Sequence, residues 1–317
     1  MIPETVRKCG QNLKNFMANS TLKAWFETAR PKTLPLAVAI ILTGSALAQW
    51  RGKFHLDITL LCLLTATLLQ IVSNFANDYG DHQKGSDTAE RIGPLRGIQQ
   101  GNLTATQLRN GLIAVIVASF VSGASLITLA YENINDLIAF GVLGVLAIVA
   151  AITYTVGKKP YGYLGLGDIS VFLFFGLLAV CGTYYLQAHS LSADIFLPAA
   201  ACGFLSTAVL NINNLRDIEQ DKKAGKNTLI VRIGAENGRK YHGILLASAV
   251  VCYAVFALQH KPWLLAVIAL IALLLAKHAR FVYVNKDPMT LRPMLGKMSM
   301  LALLSTALFS LGLLILP

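Results

Sequence analysis

Charged side chains are scarce in this sequence. They make up 14% of its 317 residues, where a soluble domain carries about 25%. Polar stripes are missing as well. Most of the apolar stretches have no hydrophilic face, which excludes a large soluble helical protein, whose helices need one. Metal-type cysteine spacing is absent. Of Cys9, Cys62, Cys181, Cys202 and Cys252, four lie inside apolar stretches, so they read as small core residues rather than disulfides or zinc ligands. No histidine stands at ligand spacing, and no Ser or Cys triad appears that would point to covalent catalysis. No apolar run precedes Pro31; without a cleavable leader, targeting is expected to come from the first membrane helix itself.

What is present is long apolar sequence. Hydrophobic residues reach 55%, and several runs approach the roughly 20 residues that cross a bilayer as a helix. The expected fold is all-α: a polytopic membrane protein with nine transmembrane helices, at about 33–50, 56–78, 107–131, 134–156, 168–188, 195–214, 241–259, 262–281 and 298–316. The first is the shortest. Residues 1–32 form an N-terminal segment. Residues 33–317 form a single membrane domain, with long loops at 79–106 and 215–240. Each of these loops follows an even-numbered span and opens on an Asn/Asp cluster, a weak internal repeat. The layout distributes charge unevenly: 24 of the 27 Lys and Arg fall on one side and three on the other. By the positive-inside rule the N-terminus and both loops are cytoplasmic. The net charge of +11 is thus a topology signal, and no nucleic-acid surface is expected.

The two clusters carry the chemistry. The first, NFANDYGDHQKGSD, holds Asn74, Asn77, Asp78, Asp81 and Asp87. Asn74, Asp78 and Asp81 fall at i, i+4 and i+7, one face of a helix, with Gly80 and Gly85 marking its end and a turn. The second, NINNLRDIEQDKKAGK, holds Asn211, Asn213, Asn214, Asp217 and Asp221. Its Asn213, Asp217 and Asp221 are also spaced by helical turns. One such cluster reads equally as a solvated helix end. Two on one membrane side would repel each other across a shared cavity, and a divalent cation removes that repulsion. Oxygen-only ligands favour Mg²⁺ or Ca²⁺ over Zn²⁺, and Mg²⁺ commonly binds through carboxylates plus substrate phosphates. Arg91, Arg96, Arg216, Lys222, Lys223, Lys226, Lys158 and Lys159 flank the acids. Metal and cations together make a diphosphate clamp. Arg30 and Lys32 read as membrane-surface anchors, and His82 as a bystander to Asp81.

These stretches, together with RPKTLP, ERIGPLRG, AITYTVGKKPYGYLGLGD and RPML, closely resemble the UbiA superfamily of intramembrane aromatic prenyltransferases over nearly the whole chain. Gly85, where the 4-hydroxybenzoate enzymes place a third Asp, together with the following GSD and RIGPLRG, is similar to the naphthoate branch. The resemblance implies nine helices with both Asp motifs on the cytoplasmic side. It implies metal sites at Asp78 with Asp81 and at Asp217 with Asp221, supported by Asn74, Asn77 and Asn213. It implies diphosphate or carboxylate contacts from Arg91, Arg96, Lys158 and Lys226. Tyr154 would stand near the cleaved allylic bond and Asp168 near the acceptor. Read from their positions alone, Tyr154 is an interfacial aromatic and Asp168 a cap of the fifth span.

The implied activity is transfer of a polyprenyl chain, octaprenyl in length, from an Mg²⁺-bound polyprenyl diphosphate to 1,4-dihydroxy-2-naphthoate, with loss of CO₂ and diphosphate. Both tail and product are membrane lipids. Other readings are the same chemistry on 4-hydroxybenzoate or a haem or chlorophyll precursor, a secondary transporter, and a lipid-binding scaffold. Transporters place their polar residues near the midplane at broken helices, whereas these carboxylates crowd one face.

Overall fold

The computed structural model describes residues 21–86, 92–93 and 95–315. Among them nine helices of at least 17 residues run back and forth. They are α1 (Leu34–Trp50), α2 (Leu56–Gln83), α3 (Ala105–Ala130), α4 (Ile134–Thr153), α5 (Gly167–Ala188), α6 (Phe196–Arg216), α8 (Leu229–His260), α9 (Leu264–Val284) and α10 (Met294–Ile315). A short α7 (Ile218–Lys223) lies between α6 and α8. Eight of the nine meet the length and apolarity needed to cross a bilayer. The other, α1, has 17 residues, at the lower limit of a spanning helix. The chain is an all-α multi-pass membrane protein.

The helix ends follow local chemistry. Thr104 and Gln107 form a reciprocal capping box at the start of α3. Asn133 caps α4, and Thr228 caps α8. Gly85 closes α2 with a positive φ of 64°, a conformation that suits glycine. Two boundaries differ from the sequence reading. α2 runs past residue 78 to Gln83, so both Asp78 and Asp81 ride on helix, and Gly80 lies inside the helix instead of ending it. A Cβ on Gly80 would stand 2.8 Å from the Thr155 backbone; glycine is there for close packing. The seventh span begins at Leu229, with a break at Gly234 (φ 80°), instead of near 241.

Burial sorts the helices. In α6 with its leading turn, 72% of the apolar window is buried, against 6% in α4, so α6 is the central helix and α4 an outer one. α6 packs most extensively on α8, α2 on α3, and α1 on α10. The main core includes Ile212, Tyr253, Phe256 and Phe309, with Tyr253 stacked on Phe309 at 4.3 Å. A second, smaller core joins Val72 and Phe75 of α2 to Leu108 and Leu112 of α3. Large apolar side chains such as Leu64, Phe120, Ile138 and Leu273 point outward, as lipid requires and water does not. Midway along α5, Phe172–Cys181 widens into a π-helical stretch, a distortion frequent at functional sites.

Candidate functional site

At the basic end of the bundle the two Asp clusters meet. Asp78 and Asp81, on the last turns of α2, are 3% and 2% exposed. Asp217 sits where α6 ends: its backbone (φ −100°, ψ 12°) leaves the helix and redirects the chain into α7. Asp221 follows one turn later, its amide donating to the Asp217 carbonyl at 2.8 Å. Lys226 joins the two sets. Its Nζ stands 2.8 Å from Asp81 Oδ1 and 4.0 Å from Asp221 Oδ1. Residues 140 apart in sequence therefore share one cation.

Each of these four carboxylates has a positive partner, as burial of charge demands. Arg96 Nη1 donates to Asp78 at 3.0 Å and to Asp81 at 2.9 Å, and to the Asn77 carbonyl at 3.2 Å. Arg216 grips Asp217 through Nε at 2.7 Å and Nη2 at 2.5 Å, while Nη2 also reaches Asn213 Oδ1 at 2.9 Å. Arg30 donates to Asp78. This corrects the reading of Arg30 as a surface anchor. Its φ is +53° although Pro31 follows, a left-handed geometry that costs a non-glycine residue about 1–3 kcal/mol. Asn74 holds this segment, donating to the Ala29 carbonyl at 2.9 Å.

Tyr163 was invisible to the sequence reading. Its hydroxyl donates to Asp81 Oδ1 at 2.9 Å and pairs with Ser86 at 2.8 Å. The ring lies 5.1 Å from Lys84 Nζ and 5.0 Å from Lys226 Nζ. The loop is fixed here by the Asn227 amide, which donates to the Tyr163 carbonyl at 2.9 Å. Burial, then the Asp81 charge, pushes the phenol well above its ordinary pKa, so it acts as a neutral donor.

Below the charged mouth opens a cavity of about 1070 Å³, lined by the four aspartates, Asn74, Asn77, Asn213, Arg96, Lys226 and Tyr154. That is at the upper limit for small-molecule sites, which run to about 1,000 Å³. Its depth is apolar, with Cys62, Leu126, Phe140, Phe175 and Leu186 on the wall. Along α2 the lining runs from Asp81 to Cys62, about 28 Å at 1.5 Å per residue. That nearly matches the hydrocarbon thickness of a bilayer, about 30 Å. A charged mouth on a long greasy interior suits an amphiphile with an anionic head.

Tyr154 is seated between glycines. A Cβ on Gly167 would meet its hydroxyl at 2.8 Å, and one on Gly162 its ring at 3.0 Å. Tyr161 packs edge-on against it at 5.3 Å. Asp168 is buried next to Gly167, hydrogen-bonded to Tyr241, and one carboxylate oxygen has no partner; it stands behind the wall rather than on it. Lys158 is exposed and does not line the cavity. Arg91 and Asp87 lie outside the described residues.

The four aspartates and Asn213 present only oxygen donors, a set suited to a hard divalent cation. Among the described residues no three His, Cys, Asp or Glu side chains converge into a ready metal nest. That fits a metal completed by substrate oxygens, as Mg²⁺ usually is.

Comparison with known proteins agrees with this architecture. The UbiA prenyltransferase family matches residues 37–314. A 1,4-dihydroxy-2-naphthoate octaprenyltransferase from Haemophilus influenzae is 64% identical over 94% of this chain and 98% of its own. The enzyme of the same name from Escherichia coli is 54% identical over 92% and 96%. The fold is shared with a UbiA homologue from Archaeoglobus fulgidus solved with DMAPP and Mg²⁺ (TM-score 0.60, 18% identity, 90% and 99% coverage). With the family match spanning almost every helix that builds the cavity, the chain belongs to the UbiA prenyltransferase family.

Proposed function

We propose that this chain transfers a polyprenyl group, octaprenyl in length, from polyprenyl diphosphate to 1,4-dihydroxy-2-naphthoate, releasing diphosphate and CO₂ and forming demethylmenaquinol for menaquinone biosynthesis. The observation that carries the reading is Lys226 spanning Asp81 and Asp221 at the mouth of an apolar cavity. The names of the H. influenzae and E. coli relatives supply the acceptor and the tail. A transporter has no support here: the charged groups gather at one end, not at the midplane.

Asp78, Asp81, Asp217 and Asp221 would hold Mg²⁺, with Asn77 and Asn213 at their sides. When bound, the metal neutralises diphosphate charge and makes it a better leaving group. Arg96 and Lys226 each reach two carboxylates, so both are placed to take diphosphate oxygens at the same mouth. Arg30 and Arg216 extend that positive rim; Arg91, outside the described residues, and the exposed Lys158 are further candidates for diphosphate or carboxylate contacts. The buried chamber keeps water from the allylic cation left when the C–O bond breaks. Tyr154 and Tyr161 face it with electron-rich rings, a contact worth about 2 kcal/mol when desolvated. The electron-rich naphthoate carbon bearing the carboxylate attacks the cation, and CO₂ leaves as aromaticity returns. Asp168 stands behind the wall at Tyr154 and helps to seat the acceptor by holding that part of the wall in place. The enzyme lies in a bacterial inner membrane with its N-terminus and both Asp clusters cytoplasmic, where lipid tail and polar head partition as the cavity does.

Incubation of the purified chain in lipid with octaprenyl diphosphate, Mg²⁺ and either 1,4-dihydroxy-2-naphthoate or 4-hydroxybenzoate, read by mass spectrometry of the lipid fraction, tests the reading. The expected product is the decarboxylated octaprenyl naphthalenediol. A prenylated hydroxybenzoate as the main product would replace the acceptor, and no diphosphate release from either would refute the activity.

A further inference from the structure

Three helices place a glycine on the cavity wall away from the charged residues of its mouth: Gly123 on α3, facing Thr65, Gly144 on α4, and Gly182 on α5, facing Phe140. None has a positive φ, so none is required by backbone conformation. Inside a helix glycine is instead unfavourable by about 0.5–1 kcal/mol relative to alanine. Nor does close packing explain them. A Cβ on Gly144 would meet no heavy atom within 4 Å. On Gly182 the nearest would be Phe140 at 3.7 Å, and on Gly123 it would be Thr65 at 3.8 Å. Gly162, on the same wall, differs: there a Cβ would collide with Tyr154. What the three missing side chains leave is free volume inside the chamber.

Their depth gives that volume a meaning. Thr65, which faces Gly123 and is hydrogen-bonded to Ser122 at 2.7 Å, lies sixteen residues along α2 from Asp81, about 24 Å at the helical rise. A short prenyl tail anchored by its diphosphate at the aspartates does not extend that far, whereas a long one does. We propose that Gly123, Gly144 and Gly182 set the length of prenyl tail the enzyme accepts, by keeping the cavity open away from its mouth. The inference rests on the prenyltransferase reading and adds the residues that select the donor.

The test compares Gly144→Leu and Gly182→Leu with Gly141→Leu. Gly141 also has open space around its Cβ, on the same helix as Gly144, but it does not line the cavity. For each variant, kcat/KM is measured with octaprenyl and with geranyl diphosphate, at saturating acceptor. One methylene of misfit in an apolar pocket changes discrimination by roughly 10–200-fold. The octaprenyl-to-geranyl ratio should therefore fall about tenfold or more in Gly144→Leu and Gly182→Leu, and hold in Gly141→Leu. Gly144→Ala, which adds one methyl without threatening the helix, should move the ratio the same way by less. An unchanged ratio in the cavity variants, an equal loss for both donors, or the same fall in Gly141→Leu would overturn the proposal. A wild-type chain that turns over neither donor would instead refute the activity itself.

Discussion

Replacing Asp81 by asparagine removes one negative charge from the mouth and keeps its shape. The structure separates the structural cost from the catalytic one. Asp81 accepts from Arg96, Lys226 and Tyr163. Each of these keeps another partner: Arg96 has Asp78 at 3.0 Å, Lys226 has Asp221 at 4.0 Å, and Tyr163 has Ser86 at 2.8 Å. No buried charge is orphaned, so the penalty on folding is that of weakened charge-assisted hydrogen bonds, about 1–3 kcal/mol, below the 3–5 kcal/mol of a stranded buried ion. The catalytic loss is larger. A preorganised electrostatic contact to a developing charge is worth about 10²–10³ in kcat. Asp81→Asn should therefore insert and fold, with thermal unfolding lowered by a few degrees, yet lose about 10²–10³ of its prenyl-transfer rate. Asp221→Asn should behave alike. Because residues that act as one unit are not additive, the double variant should lose about as much as the worse single one. A folded Asp81→Asn with near wild-type turnover would refute the reasoning, and fully multiplicative losses would refute the sharing of one site.

Tyr154→Phe keeps the ring and should fall less in kcat than Tyr154→Leu, for which the loss of about 2 kcal/mol of cation–π contact predicts roughly thirtyfold; steady-state rates at saturating substrates decide. Gly80→Ala drives a methyl to 2.8 Å from the Thr155 backbone and should destabilise by about 1–3 kcal/mol, as overpacking does, read as a lower unfolding temperature in detergent. Removal of divalent metal by chelation should abolish transfer and spare the fold, with activity restored by Mg²⁺; circular dichroism beside the rate assay separates the two.

Much of this was legible in the sequence, because a lipid solvent makes helices apolar all round and so easy to count. The aspartates were legible for the opposite reason: carboxylates at membrane helix ends are costly enough to demand an explanation. What the sequence hid depends on tertiary contact. Arg30 reads as an anchor beside Pro31, and only a left-handed backbone turns it onto Asp78. Tyr163 sits in a loop without periodicity and reaches Asp81 through the hydrogen bond between Asn227 and its own carbonyl. Gly80 carries the signal of a helix stop, but its role is to let Thr155 approach. Thr155 in turn donates to Asn77 at 3.0 Å, a bond no spacing rule suggests. Lys158, two residues from Val156 in sequence, stays exposed because the loop turns it outward.

Whether both acidic helix ends grip one metal–diphosphate unit can be read from the electron paramagnetic resonance of Mn²⁺ titrated into the solubilised chain with an unreactive prenyl thiodiphosphate. The wild type should quench the free-ion signal only when the analogue is present, and Asp81→Asn and Asp221→Asn should each abolish that quenching. Undiminished uptake in either variant, or uptake indifferent to the analogue, would contradict a shared site.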